Sequence, residues 1–171
     1  MTETPKKKID PLKEANLRSK DEEVVLNALN DLRDSGSAVY LPLMAEILLT
    51  SEFEDVRKSV LSVLGELKDK DSVPWFMDIL EDIRYLPVRK ELMAACWQNG
   101  LDYSPYLERL VDWVIGNEMD IAFEAFTIIE NLDHLPDASV REAEIVKINR
   151  ALKEADALKS YLLRELRGIL A

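Results

Sequence analysis

Cysteine and histidine are nearly missing from this chain: Cys96 and His134 are the single examples of each. One cysteine forbids an intrachain disulfide and points to a reducing compartment. One cysteine and one histidine also rule out the usual zinc sites, unless carboxylates complete the set, and the local candidates beside His134 are Asp133 and Asp137. Glycine and proline are sparse, at 5 and 7, which leaves long stretches free to form helix. There is no sustained period-two alternation and no Asn-Gly turn, so strands are not expected. No apolar run approaches the ~18 residues of a membrane span. The N-terminal stretch "MTETPKKKIDPLKEANLRSKDEE" has no apolar core of the signal-peptide kind. A cytoplasmic protein is expected. The phosphate-cradling, dinucleotide-binding and H-E-x-x-H zinc motifs are all lacking. No catalytic, cofactor-binding or metal-ligating residue is therefore assigned, and no cofactor.

What the chain does have is a repeat. Val56-Arg57-Lys58 recurs 32 residues later as Val88-Arg89-Lys90. The same shift aligns Val24, Val56 and Val88, and Ile121 joins after one extra residue. Ala28, Val60, Leu92 and Ala125 form the next column, then Leu29, Leu61, Met93 and Phe126, then Leu32, Leu64, Cys96 and Ile129. Positions i, i+4, i+5 and i+8 lie on one face of an α-helix. A second helix follows each, aligned through Leu43, Trp75 and Tyr106, then Met44, Phe76 and Leu107, then Ile47, Ile79 and Leu110, then Leu48, Leu80 and Val111. Pro42, Pro74 and Pro105 fall near the start of these second helices, where a missing N–H costs least. Ser104 reads as an N-cap, and Ser51-x-x-Glu54 and Ser139-x-x-Glu142 read as capping boxes. One helical pair cannot bury its stripe alone, but stacked pairs can.

The segment "DVRKSVLSVLGELKDKDSVPWFMDIL" resembles HEAT repeats. Asp55-Val56-Arg57 opens the first helix, Leu64-Gly65 lies near its end, and a proline-led helix follows. Tetratricopeptide repeats have a similar period, but their Trp, Gly, Tyr, Ala and Pro spacing is not present. The resemblance implies an all-α fold: a right-handed α–α superhelix of about four helical hairpins with a C-terminal capping helix. It also implies a ladder between repeats, with Arg57 and Arg89 at the arginine position and Asp55 at the aspartate. The outer repeats depart from it, with Val25 and Ala122 in place of arginine. Pro87 replaces the second aspartate, and Trp97 stands at the glycine position.

The expected organisation is a flexible basic arm over 1–20, a repeat domain over 21–155, and an amphipathic capping helix over 156–171. The repeats fall at about 21–51, 54–83, 86–116 and 118–155, and residues 12–18 fit a short helix. After Pro136 the pattern fits one long helix or two. Net charge is −11 overall, with −16 in residues 21–140, +3 in 1–20 and +2 in 141–171. An acidic body repels phosphate backbones, so no nucleic acid is expected, nor a membrane.

In the resembling family the second helices line a concave face that often grips a partner. Here their outward columns hold Glu46, Asp78 and Arg109, then Leu49, Glu81 and Asp112, then Asp82 and Trp113, with Trp75 and Tyr106 at the edge of the buried stripe. The expected partner site is Trp75, Asp78, Glu81, Asp82, Tyr106, Glu108, Asp112 and Trp113. Acidic side chains with aromatic anchors suit a basic protein or peptide. The function expected is a non-catalytic scaffold or adaptor. The alternative is an enzyme or lyase built on the same scaffold. The chain is expected to be a monomer, or a weak homodimer through its C-terminal helix.

Overall fold

The computed structural model describes residues 8–35 and 38–171. The described residues are helical with no strand. They divide into two compact units, residues 1–99 and 100–171. The boundary falls inside the third expected repeat, so its two helices belong to different units. Gly100, at φ 64°, takes the left-handed conformation that follows a helix end.

The first unit holds α1 (Pro11–Leu17), α2 (Glu22–Ser35), α3 (Leu41–Thr50), α4 (Glu54–Glu66), α5 (Ser72–Glu81) and α6 (Arg89–Asn99). Helices α2, α4 and α6 stack in one row, and α3 packs on α5 in a second. The repeat columns form the core: Ala28, Val60 and Leu92 are buried, as are Leu32, Leu64 and Cys96. The Cys96 thiol donates to the Leu92 carbonyl at 3.4 Å. From the second row Met44, Phe76, Leu48 and Leu80 are buried. Gly65 sits where α4 and α6 approach, and a Cβ there would stand 2.8 Å from Gln98 Oε1.

The short helix expected at residues 12–18 is α1, and it folds the second half of the stretch expected as an arm. Asp10 caps α1 by accepting from Leu12 N at 2.8 Å, and Pro11 sits in the first turn. Tyr40 Oη accepts from Asp10 N at 2.8 Å, and Leu17 is buried as α1 packs on α2. One well-placed leucine and an anchored N-terminal end seat this seven-residue helix. Of Lys6-Lys7-Lys8, only Lys8 lies within the described residues.

The second unit holds α7 (Leu107–Gly116), α8 (Met119–Glu130), α9 (Ala138–Ala151) and α10 (Ala157–Leu170). Helix α7 packs on α8 and α9, and α10 packs on α7, α8 and α9. The stretch after Pro136 is thus two helices. Helix α10 turns Leu162, Leu163, Leu166 and Leu170 inward and leaves Leu158 and Tyr161 exposed.

In the first turn of α2 and α8 the buried position moves by one residue, while Ala28, Leu29 and Leu32, and Ala125, Phe126 and Ile129, stay buried in the expected register. Val25 and Ala122 are buried while Val24 and Ile121 are half-buried. These are the two helices in which the arginine of the pattern is an apolar residue, so nothing holds that position at the surface. The capping boxes are corrected as well. Ser51 Oγ accepts from Phe53 N at 3.2 Å in a turn that ends before α4 begins. The cap of α9 is Asp137, which puts Ser139 inside the helix. Ser104 opens a short 3-10 turn ahead of α7 rather than capping it.

Candidate functional site

In the first unit the expected site residues lie along α5. Phe76, Met77, Ile79 and Leu80 turn inward, which puts Trp75, Asp78 and Glu81 outward. Trp75 is 40% exposed, enough ring to meet another molecule. Asp82 is already engaged. Its carboxylate caps the following turn at Arg84 N, 2.9 Å, and holds the Arg84 guanidinium at 2.5 Å. The Arg84 hydrogen bonds keep the Asp82 carboxyl below its ordinary pKa. Both partners are solvated, so the pair adds little stability, but it does lower the free charge of this face.

In the second unit Glu108 and Asp112 stand one turn apart on α7, opposite the buried Leu107, Val111 and Val114. Tyr106 and Trp113 are half-buried. The two carboxylates share a cation that no local spacing could have revealed. Lys147 of α9 places Nζ 3.3 Å from Glu108 Oε1 and 3.1 Å from Asp112 Oδ1. Glu144, one turn before Lys147, adds Oε2 at 3.1 Å from the same Nζ. The Glu144 side chain is 4% exposed, and the contact at Oε2 is an ion pair without hydrogen-bond geometry. Partial burial opposes the Lys147 charge, but Asp112, Glu144 and Glu108 outweigh it and hold the lysine pKa above its usual value.

Burial raises the Glu144 pKa, and Asp112 and Glu108 push the same way against Lys147. An acid whose folded pKa exceeds its unfolded value costs stability once the pH has passed both, and costs none below the unfolded value. Glu144→Gln is therefore expected to stabilise the fold near neutral pH by about 1 kcal/mol, a rise of roughly 2–4 °C in Tm. The gain should fade as the pH falls through the raised folded value and be gone below the unfolded value of about 4.3. A melt series over this range checks it, and a drop in Tm at neutral pH would show that Lys147 outweighs burial.

Four helix ends are closed by cations from other helices or turns. Arg57 Nη1 donates to the Leu48 carbonyl near the end of α3. Lys68 Nζ reaches the Asn99 carbonyl, the last of α6, at 2.6 Å. Lys159 Nζ bonds the carbonyls of Val114, 2.9 Å, and Asn117, 2.5 Å, at the end of α7. Arg141 Nη1 bonds the Leu170 carbonyl at 2.8 Å at the end of α10. Carbonyls at a C-terminus lack helical donors and carry the negative end of the dipole, so a cation suits both needs.

His134 pairs with Asp102, Nε2 to Oδ2 at 3.3 Å, and not with its neighbours Asp133 and Asp137. Partial burial pushes the Asp102 carboxyl up, but hydrogen bonds from Ser104 and the His134 contact hold it below its usual range. Among the described residues no group of His, Cys, Asp or Glu is arranged to hold a metal ion. A groove of about 490 Å³ in the first unit has Leu17, Val25, Leu43, Ile47 and Val56 on its walls, with Arg18 and Glu46 among its charged lining. It contains neither His nor Cys.

A sequence model of HEAT repeats matches residues 6–97, more than half of the chain. The chain belongs to the HEAT-repeat family. HEAT repeats generally serve as protein-interaction scaffolds. No curated protein matches the chain. No described helix is long and apolar enough to cross a membrane.

The HEAT ladder takes a modified form. Arg57 bridges neighbouring repeats, but through the Leu48 carbonyl and, at 3.9 Å, Glu91. Asp55 is exposed. A 32-residue shift of the Arg57 contact would put Arg89 on the Leu80 carbonyl. Instead Arg89 Nε is buried without a hydrogen-bond partner, and burial lowers its pKa. Pro87 explains the difference. It lies in a 3-10 segment, Ile83–Val88, that replaces the extended Ser51–Phe53 entry of the preceding repeat.

Proposed function

We propose that this HEAT-repeat protein is a non-catalytic scaffold that binds a basic protein or peptide segment through the acidic faces of its second helices. The observation that carries the reading is the outer face of α5, where an exposed Trp75 stands one turn from the exposed carboxylate of Asp78. An aromatic ring supplies apolar area at low entropic cost, and an adjacent carboxylate selects for lysine or arginine. The face of α7, with Glu108 and Asp112 beside Trp113, offers the same two chemistries. The chain works as a monomer or as a weak dimer through the outer face of α10, where Leu158 and Tyr161 are exposed.

The test uses the full chain. Proteins captured from native lysate at low salt are identified, purified and titrated against wild type, Trp75→Ala and Asp78→Lys. Trp75→Ala is expected to weaken a genuine partner about thirtyfold, as for a central aromatic anchor. Asp78→Lys should weaken it about tenfold, and less at high salt. A partner that binds both variants as tightly as wild type would refute α5 as the site.

A further inference from the structure

The carboxylates of Glu108, Asp112 and Glu144 are directed at one point, and that point holds an ammonium group. We infer that this cradle is a recognition site for a lysine or arginine side chain of a basic segment, and that Lys147 occupies it in the free protein as a built-in competitor. The inference rests on the scaffold reading above and adds how one of its faces is regulated.

Three features support it. First, the charges do not balance. Three carboxylates meet one ammonium, so the cluster keeps an excess of negative charge after Lys147 is counted. Second, the side chains of Glu108 and Asp112 are 73% and 51% exposed, so the fork they form opens to solvent. Third, Glu144 is buried behind them with Oε2 lacking a hydrogen-bond partner. Its one cation lies 3.1 Å away without hydrogen-bond geometry, so its burial is only partly compensated, and a better-placed donor would improve on it. Lys147 sits on α9 just one turn from Glu144, so the position of its backbone limits the angle at which its ammonium arrives. A side chain entering from solvent has no such restriction. An arginine could address two carboxylates at once through its planar fork of N–H groups.

The competitor is the tunable part. The affinity of the cradle for an external cation is reduced by whatever Lys147 contributes to holding it closed. Neutralising Lys147, by substitution or by acylation of its amine, opens the site and leaves Glu108 and Asp112 as its exposed acceptors, while the buried Glu144 loses the cation that favours its charged form.

The test is titration of the full chain with blocked tetralysine at low ionic strength, followed by the fluorescence of Trp113, the neighbour of Asp112, with Trp75 and Trp97 replaced by Phe. Lys147→Gln is expected to raise affinity about tenfold. Lys147→Arg should leave it at the wild-type level. Adding Glu108→Gln and Asp112→Asn to Lys147→Gln should abolish the gain. Lys153→Gln, which removes an equal charge from an exposed site in the same unit, controls for net charge. The proposal is overturned if Lys147→Gln does not bind more tightly than wild type, or binds no more tightly than Lys153→Gln. It is also overturned if the gain survives loss of the two carboxylates. Should Lys147→Gln fail to fold, Lys147→Met, which keeps the apolar stem and all three carboxylates, takes its place, and the same comparisons apply. The scaffold reading stands or falls separately. A partner weakened by Trp75→Ala with no effect at Lys147 would leave α5 as the site and remove the cradle alone.

Discussion

Replacing Ala122 by arginine is expected to destabilise the protein by about 4 kcal/mol or more. By family pattern the change looks like a repair, since Ala122 occupies the column in which the middle repeats carry Arg57 and Arg89. The structure argues the reverse. Ala122 is fully buried on the face that α8 turns toward its neighbours, with Ala125 and Ile129 on the same stripe. A guanidinium there would first have to displace packed side chains, at about 1–3 kcal/mol. It would then leave a cation out of water without a carboxylate built to receive it, at a further several kcal/mol. Arg57 escapes both costs because its side chain is one-third exposed and its head meets the Leu48 carbonyl. Urea unfolding monitored by circular dichroism measures the difference. A loss under 1 kcal/mol would mean that the buried face of α8 has been wrongly identified.

Lys159→Met is the second large effect, at about 2–3 kcal/mol, or roughly 4–12 °C in Tm for a chain of this length. Methionine keeps much of the apolar stem and removes the ammonium. The backbone N–H of Lys159 is held by Asp156 at the start of α10, at 2.8 Å, while its Nζ closes the end of α7. One residue therefore fastens two helix termini. Burial works against the charge and lowers the lysine pKa, although Asp156 and Glu118 oppose that shift. The substitution removes this cost, but it also strips two carbonyls of a charged donor. Hydrogen bonds to a charged group are worth about 1.5–3 kcal/mol each, so the loss is the larger quantity. A Tm within 1 °C of wild type would show that water replaces the ammonium at no cost.

The helical rows could be read from the chain because their signal is local and periodic. Val60, Leu92 and Ala125 fall in one column and all are buried. The turn from α3 into α4 could not be read, because a serine hydroxyl suits both a cap and a preceding turn. Ser51 spends its hydroxyl on Phe53 N and leaves α4 uncapped by any side chain. The acidic column on α7 was visible, but its occupant was not. Lys147 lies 35 positions beyond Asp112, and no periodicity links an acid on one helix to a lysine that far along the chain. Seating of α1 was equally hidden, since it depends on Leu17 and on the Tyr40 hydroxyl 30 positions from Asp10.

The cations at the ends of α3, α6, α7 and α10 also bear on how this sequence can drift. An acidic chain ordinarily tolerates exchange of a lysine for a neutral or acidic residue, since the change only extends a charge it already carries. That freedom holds at exposed positions such as Lys90 and Lys153. It does not hold at Arg57, Lys68, Lys159 or Arg141, where each cation meets a backbone carbonyl that every substitution leaves in place. Because the acceptor belongs to the main chain, no second mutation can remove it, and a lost cation can be restored only by another donor of similar reach. Divergent copies of this protein should therefore differ widely in total charge while keeping long basic side chains at these four positions.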